Sequence, residues 1–174
     1  MINVVSISFF AILVVMLKNL KKKLCKKICP RKVDREIVIV YPFNTKTNEL
    51  FIIQEYIHHY DRKFWKFVSG GIDKEGKSEL QHAKEELAEE VGMTAEDICH
   101  LHSTEHVFGN RPCYFYVAED PELMDNPPEN PDTDVITETR WVNEAQFQEM
   151  LETKELMWDE ATMCALQVFR KYNK

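Results

Sequence analysis

The 174-residue chain is long enough for one domain with a short extension, and its 44% hydrophobic and 29% charged content is that of a soluble globular protein. The net charge of −7 is unevenly divided: residues 1–35 hold nine Lys/Arg and one Asp, so the remainder carries −15. So acidic a body argues against nucleic acid as a partner and means that an anionic substrate needs bridging cations. Five cysteines, Cys25, Cys29, Cys99, Cys113 and Cys164, include no Cys-x-x-Cys pair, which argues against a disulfide framework or a zinc site and points to a reducing compartment.

Residues 2–17 are nearly all apolar, interrupted by Asn3, Ser6 and Ser8, and a lysine-rich stretch follows from Lys18 to Lys32. About 16 such residues reach roughly 24 Å as a helix, against about 30 Å of bilayer hydrocarbon. The basic cluster follows the apolar run and no small-residue cleavage site appears, so this is a poor secretory signal. We read an N-terminal hydrophobic helix here, a candidate membrane anchor with the acidic body in the cytoplasm. A surface-lying segment and a disordered leader, upstream of a start at Met16, are the alternatives. Fusing residues 1–35 to a soluble reporter separates them. Cys25 and Cys29 lie in the basic stretch and are candidates for acylation.

The domain proper is expected over residues 36–174. Residues 36–41 (EIVIVY) and 50–56 read as two strands joined by a polar turn at 44–48, a hairpin. His58, His59, Tyr60, Asp61 and Arg62 form a polar loop; its histidines are either phosphate contacts or ordinary loop residues. Residues 63–68 (KFWKFV) read as a short strand delivering Ser69, Gly70 and Gly71, where a backbone without Cβ can approach a ligand closely. A helix from about Glu79 to Val91 follows, with Gly92 as its stop. Residues 94–97 (TAED) have capping-box spacing and predict a short helical turn. Residues 98–107 and 111–118 read as strands; in the second, Cys113, Phe115 and Val117 alternate with Tyr114, Tyr116 and Ala118. Residues 119–134 form an acidic loop with Pro121, Pro127, Pro128 and Pro131, long enough to be functional or disordered. After a strand at 135–142, Asn143 caps a helix to about Leu151. The last helix starts at Asp159 or Glu160, with Ala161, Cys164, Ala165, Val168, Phe169 and Tyr172 at helical spacing. Strands, helix, strands and helices make an α+β order.

Residues 70–93 (GGIDKEGKSELQHAKEELAEEVGM) are the most informative stretch. With Glu86 at zero on a helical wheel, Glu89 and Glu90 fall within about 60° on either side, and Glu79 lies near the same line. Leu80, Ala83, Leu87 and Val91 form an apolar stripe beside them. Like charges at these spacings destabilise a helix by roughly 0.2–0.5 kcal/mol per pair. Convergence on a divalent cation such as Mg²⁺ would offset that; the plain alternative is a solvated acidic face.

This stretch resembles the Nudix box, in which Gly, five residues, Glu and seven residues precede Arg-Glu-hydrophobic-any-Glu-Glu-any-Gly-hydrophobic. Gly71, Glu86, Leu87, Glu89, Glu90, Gly92 and Met93 match in register. Lys77 stands where the family has Glu, and Glu85 where it has Arg, so an ion pair between them would keep its place with reversed polarity. The resemblance extends over roughly residues 36–172 and implies an α/β/α sandwich with a mixed β-sheet. It implies water attack on a diphosphate linkage, with Mg²⁺ or Mn²⁺ held by Glu86, Glu89, Glu90 and the Gly70 carbonyl. The reaction it implies needs a base, for which the candidates are a box glutamate or an acid of the long loop: Glu129, Asp132 or Asp134. Lys66, Arg111 and Arg140 are candidate phosphate contacts or solubilising residues; Trp65, Tyr114 and Tyr116 either stack on a base or pack in the sheet.

Within the family the chain looks like the ADP-ribose pyrophosphatase branch at residues 50–54 (LFIIQ), 64–73 (FWKFVSGGID) and 158–162 (WDEAT). It lacks that branch's Arg after Gln54 and its Pro near Phe108. The implied partner is a small nucleotide such as ADP-ribose, with no nucleic acid, and a homodimer is expected from the branch. A nucleoside triphosphate pyrophosphohydrolase and a membrane-tethered nucleotide-binding module without turnover are the competing readings.

Overall fold

Six consecutive buried residues, 38–43, make the first strand apolar on both faces. Ile39, Tyr41 and Phe43 enter one core and Val38 and Val40 another, the pattern of a strand covered from both sides. The computed structural model describes residues 36–57, 61–107, 111–130, 136–156 and 159–173. The expected N-terminal helix and basic linker (1–35), His58, His59, Tyr60, Phe108, Asp132, Asp134 and Trp158 lie outside those residues, as does the side chain of Arg111. Among the described residues no helix is long and apolar enough to cross a membrane.

The elements in order are β1 (Ile37–Asn44), β2 (Glu49–Ile57), β3 (Arg62–Lys66), β4 (Val68–Gly71), α1 (Glu79–Val91), β5 (Met93–Thr94), β6 (Ile98–Val107), β7 (Arg111–Glu119), β8 (Glu122–Leu123), β9 (Ile136–Val142), α2 (Glu144–Glu152) and α3 (Glu160–Tyr172). The β1–β2 turn is closed by the Asn44 side chain, whose Oδ1 accepts from the Lys46 and Thr47 N–H groups at 3.0 and 3.1 Å. The hairpin is paired only near this turn, Phe43 with Leu50 and Asn44 with Glu49. Farther on its strands diverge, and residues 62–71 fill the gap: β3 pairs with β2 and β4 with β1. The strand expected at 63–68 is therefore two, divided at Phe67 where the partner changes. β7 runs parallel to β1, while β6 and β9 run antiparallel to β7 and β2.

Helices cover both faces of this mixed sheet, giving three layers. From α1, Ala83 and Leu87 meet Val38, Val40, Phe51, Ile53 and Val68. On the opposite face, Phe147, Met150 and Leu151 of α2 join Cys164, Ala165, Val168 and Phe169 of α3. Tyr41 donates a buried hydrogen bond of 2.7 Å to the Ala161 carbonyl, fixing the first turn of α3 to the sheet. Asn143 and Asp159 cap α2 and α3 through the N–H groups of Gln146 and Thr162.

Residues 94–97 do not form the expected helical turn. Met93 and Thr94 pair with Leu123 and Glu122 in a two-stranded ribbon, and β6 begins at Ile98, leaving too little chain to nucleate a helix. The acidic loop after β7 is thereby tied down, and the Met124 N–H donates to the Gly92 carbonyl at 2.8 Å.

Candidate active site

Two features fix the start of α1 and the loop before it. Ser78 and Gln81 form a reciprocal capping box. The buried His82 ring accepts the Lys74 N–H at Nε2, 3.2 Å, and its Nδ1–H donates to the Ser78 carbonyl at 3.0 Å. That fixes the imidazole tautomer and anchors the 72–78 loop. At the far end, Gly92 adopts a left-handed φ of 63° and caps the helix toward the Ala88 and Leu87 carbonyls.

β4 lays Gly70 opposite Val38 and Gly71 opposite Ile37. The Glu86 carboxylate lies directly over Gly70: a Cβ there would stand 2.0 Å from Glu86 Cδ. One turn on, Glu90 Oε2 accepts the Ser69 N–H at 3.0 Å. Glu86 and Glu90 therefore meet at the Ser69–Gly70 corner. Burial pushes the Glu90 carboxyl up to about 7, and the charges of Glu86 and Glu55 add to the rise while Lys66 and the Ser69 N–H oppose it.

Glu89 is placed differently. Its Oε1 lies 3.3 Å from Lys74 Nζ, which also contacts Glu85 Oε2 at 2.9 Å; Lys77 Nζ takes the other Glu85 oxygen. The three or four carboxylates expected at one point are thus divided: Glu86 and Glu90 share the corner, Glu89 is paired with Lys74, and Glu79 lies apart from both. Among the described residues no group of three or more His, Cys, Asp or Glu side chains is gathered as a metal cage. Glu79 is near the β7 tyrosines, where its charge helps raise the Tyr114 and Tyr116 hydroxyls after the larger effect of burial. Glu129 is exposed, two residues beyond Pro127; Pro127 itself borders Gly92, where an added Cβ would stand 3.2 Å from its ring.

The Lys77–Glu85 pair has Lys74 as a third member, so Glu85 is held below the ordinary carboxylate range by Lys77 first and Lys74 second. Its contribution to stability is present above the ordinary carboxylate pKa and is lost as pH falls through the lowered value. Lys77→Glu and Glu85→Arg should each lower stability by about 1 kcal/mol or less in urea unfolding. The double reversal should recover only part of the loss, because Lys74 would then face a cation. Full recovery would remove Lys74 from the network.

The other candidate contacts have partners within the protein. Lys66 lies 2.5 Å from Glu55 and 3.9 Å from Glu90. Arg140 pairs with Glu138 at 2.9 Å and stacks over the Trp65 ring at 4.7 Å. Trp65 and Tyr116 are buried, and the Tyr114 hydroxyl donates to Glu36 at 3.4 Å. The sequence reading missed Lys74, His82 and Glu55. It also missed a pocket of about 190 Å³ between the sheet and α3, lined by Ile37, Ile39, Phe64, Trp65, Phe67, Cys113, Phe115, Ala161 and Thr162, with Asp159, Lys66 and Ser69 as polar members. A charged residue at position 74 inside the box was a visible signal. The pocket had none, since its walls come from four distant segments.

A mixed sheet between helices, with an acidic helix closing on a Gly-Gly corner, is the class that fold and site define. The NUDIX domain profile matches residues 33–164, and the chain belongs to the Nudix hydrolase family. No curated protein matches it. Among solved structures the fold is similar to that of an ADP compounds hydrolase, with a TM-score of 0.65 and 24% identity, covering 82% of this chain and 74% of that one. It is also similar to a MutT from work on the fish pathogen Aliivibrio salmonicida and on Vibrio cholerae, with a TM-score of 0.57 and 23% identity, covering 79% of this chain and 98% of that one.

Proposed function

We propose that this protein hydrolyses a diphosphate linkage in a nucleoside diphosphate derivative, with ADP-ribose the first candidate. Glu86, Glu89, Glu90 and the Gly70 carbonyl would hold Mg²⁺ or Mn²⁺. The observation that carries this reading is the seating of the Glu86 and Glu90 carboxylates on the Ser69–Gly70 backbone. The Glu86 charge adds to the burial that opposes ionisation of Glu90, and hard oxygen donors suit a divalent cation. When bound, such an ion neutralises phosphate charge and lowers the pKa of its water.

The chain's own residues supply the rest. Lys77 and Glu85 tie the glycine loop to α1, while Gly71 and Gly92 shape its ends. Glu129 is the loop candidate for the base that takes the proton from water, on a segment that borders the α1 C-terminus at Gly92. The apolar pocket would receive the nucleobase. At about 190 Å³ it exceeds the roughly 150 Å³ cavity that accepts benzene, and it shares Ser69 and Lys66 with the acid corner. The fold's likeness to an ADP compounds hydrolase supports trying ADP derivatives first.

The test is a panel of nucleoside diphosphate sugars, dinucleoside polyphosphates and nucleoside triphosphates with Mg²⁺ or Mn²⁺, read by phosphate release after phosphatase coupling. Chelator-sensitive turnover of the diphosphate sugars is expected. Turnover confined to triphosphates would move the protein to the pyrophosphohydrolase reading, and binding without product would make it a nucleotide-binding module.

A further inference from the structure

Two lysines converge on one carboxylate in the box. Lys77 takes one oxygen of Glu85 and Lys74 the other, and Lys74 then reaches Glu89 as well. The charge count explains the reach, since Glu85 neutralises one cation and leaves the second in excess. We propose that Lys74 is a removable counter-ion for Glu89, a positioning residue that a divalent cation must displace before Glu89 can join Glu86 and Glu90. This rests on the reading of Glu89 as a metal ligand.

Three observations favour displacement over a fixed staple. The contact to be given up is the longer one, 3.3 Å against 2.9 Å to Glu85, so Lys74 stays paired after release. Its side chain is 40% exposed, so the freed ammonium is not stranded without water. Its backbone is held independently, by the N–H bond to the buried His82 ring, so the side chain can swing while the loop stays in place. Glu89 itself is 18% exposed, and its charge needs a partner in either state.

The test is Mn²⁺ binding to the full chain at low salt, followed by calorimetry and electron spin resonance. Lys74→Met should bind Mn²⁺ about three- to tenfold more tightly than wild type, the scale of losing a competing charge in a partly exposed network. Lys74→Arg should stay within about twofold of wild type because the counter-ion is retained. Glu85→Gln should weaken binding, because Lys74 then rests on Glu89 alone. Lys77→Met removes the same charge from the same loop but leaves Lys74 in place, its pairing shifted toward the freed Glu85, and should tighten binding by no more than about twofold, less than Lys74→Met.

Equal affinity in Lys74→Met and wild type overturns the inference, as does an equal gain from Lys77→Met, which would assign the effect to loop charge in general. Lys74→Gln repeats the test should the Met variant not fold. Loss of Mn²⁺ binding in Glu86→Gln and Glu90→Gln checks the metal reading separately. Binding that is unaltered by Glu89→Gln would overturn the inference and strike Glu89 from the proposed ligands, while leaving the Glu86 and Glu90 corner standing.

Discussion

Glu90→Gln is expected to lower metal-dependent turnover at least about a hundredfold, the scale for losing a ligand or proton acceptor at the reacting centre, while making the metal-free fold more stable at neutral pH. The two effects share one cause. The Glu90 side chain is only 6% exposed at the Ser69–Gly70 corner, and its carboxyl is raised from an ordinary 4.5 to about 7. The sign follows from linkage. A raised acid binds its proton more tightly in the folded state, so its stabilising contribution is complete below about 4.5 and is lost as pH rises through about 7. Glutamine has the shape of the neutral form, can still accept the Ser69 N–H, and never ionises. In chelator, the stability gap between Glu90→Gln and wild type should open from about pH 4.5 to about 7, reaching about 1–3 kcal/mol. Mn²⁺ should then stabilise wild type more at pH 8 than at pH 6, because binding expels the proton, and should do so far less for the variant. Wild-type turnover in Glu90→Gln would remove this carboxylate from the mechanism.

Local pattern and tertiary arrangement separate cleanly in this chain. The period of the box was legible: Leu87 and Ala83 lie in the core and Glu86 and Glu90, one turn apart, share a face, as 3.6 residues per turn requires. The caps at Ser78, Asn143 and Asp159 were similarly local, although Ser78 was not singled out beforehand. What the wheel could not contain was the loop opposite. Lys74 lies fifteen residues before Glu89 and meets it because His82 pins the loop at that point. Residues 63–68 look like one strand because apolar pattern carries no record of partners; the division at Phe67 follows from the divergence of β1 and β2. Residues 94–97 satisfied a capping rule, yet pairing of Met93 with Leu123 across thirty residues prevailed. Lys66 looked available for phosphate until the sheet register brought Glu55 beside it.

Gly70→Ala is expected to reduce turnover by about a hundredfold or more and leave the melting temperature nearly unchanged. The argument turns on what a methyl group would meet. All three nearest atoms belong to the Glu86 carboxylate, at 2.0, 2.1 and 2.3 Å. Gly70 is not among the positive-φ glycines, which among the described residues are Gly76 and Gly92, so the backbone admits alanine without strain, and the loss of unfolded-state freedom even offsets part of any cost, by about 0.4–1 kcal/mol. The obstruction is the far end of a flexible side chain. Glu86 can therefore leave, the fold survives, and the corner loses the carboxylate that the reaction needs within a fraction of an ångström. A second substitution separates this account from general damage. Glu86→Asp withdraws the carboxylate by one methylene and should lower turnover alone, yet in the Gly70→Ala background it should raise turnover above that of Gly70→Ala. Such non-additivity is expected only for groups in contact. Additive losses, or near-wild-type turnover in Gly70→Ala, would mean that the Glu86 carboxylate over Gly70 is not the working arrangement. The proposed metal site would then have to be rebuilt around Glu89 and Glu90.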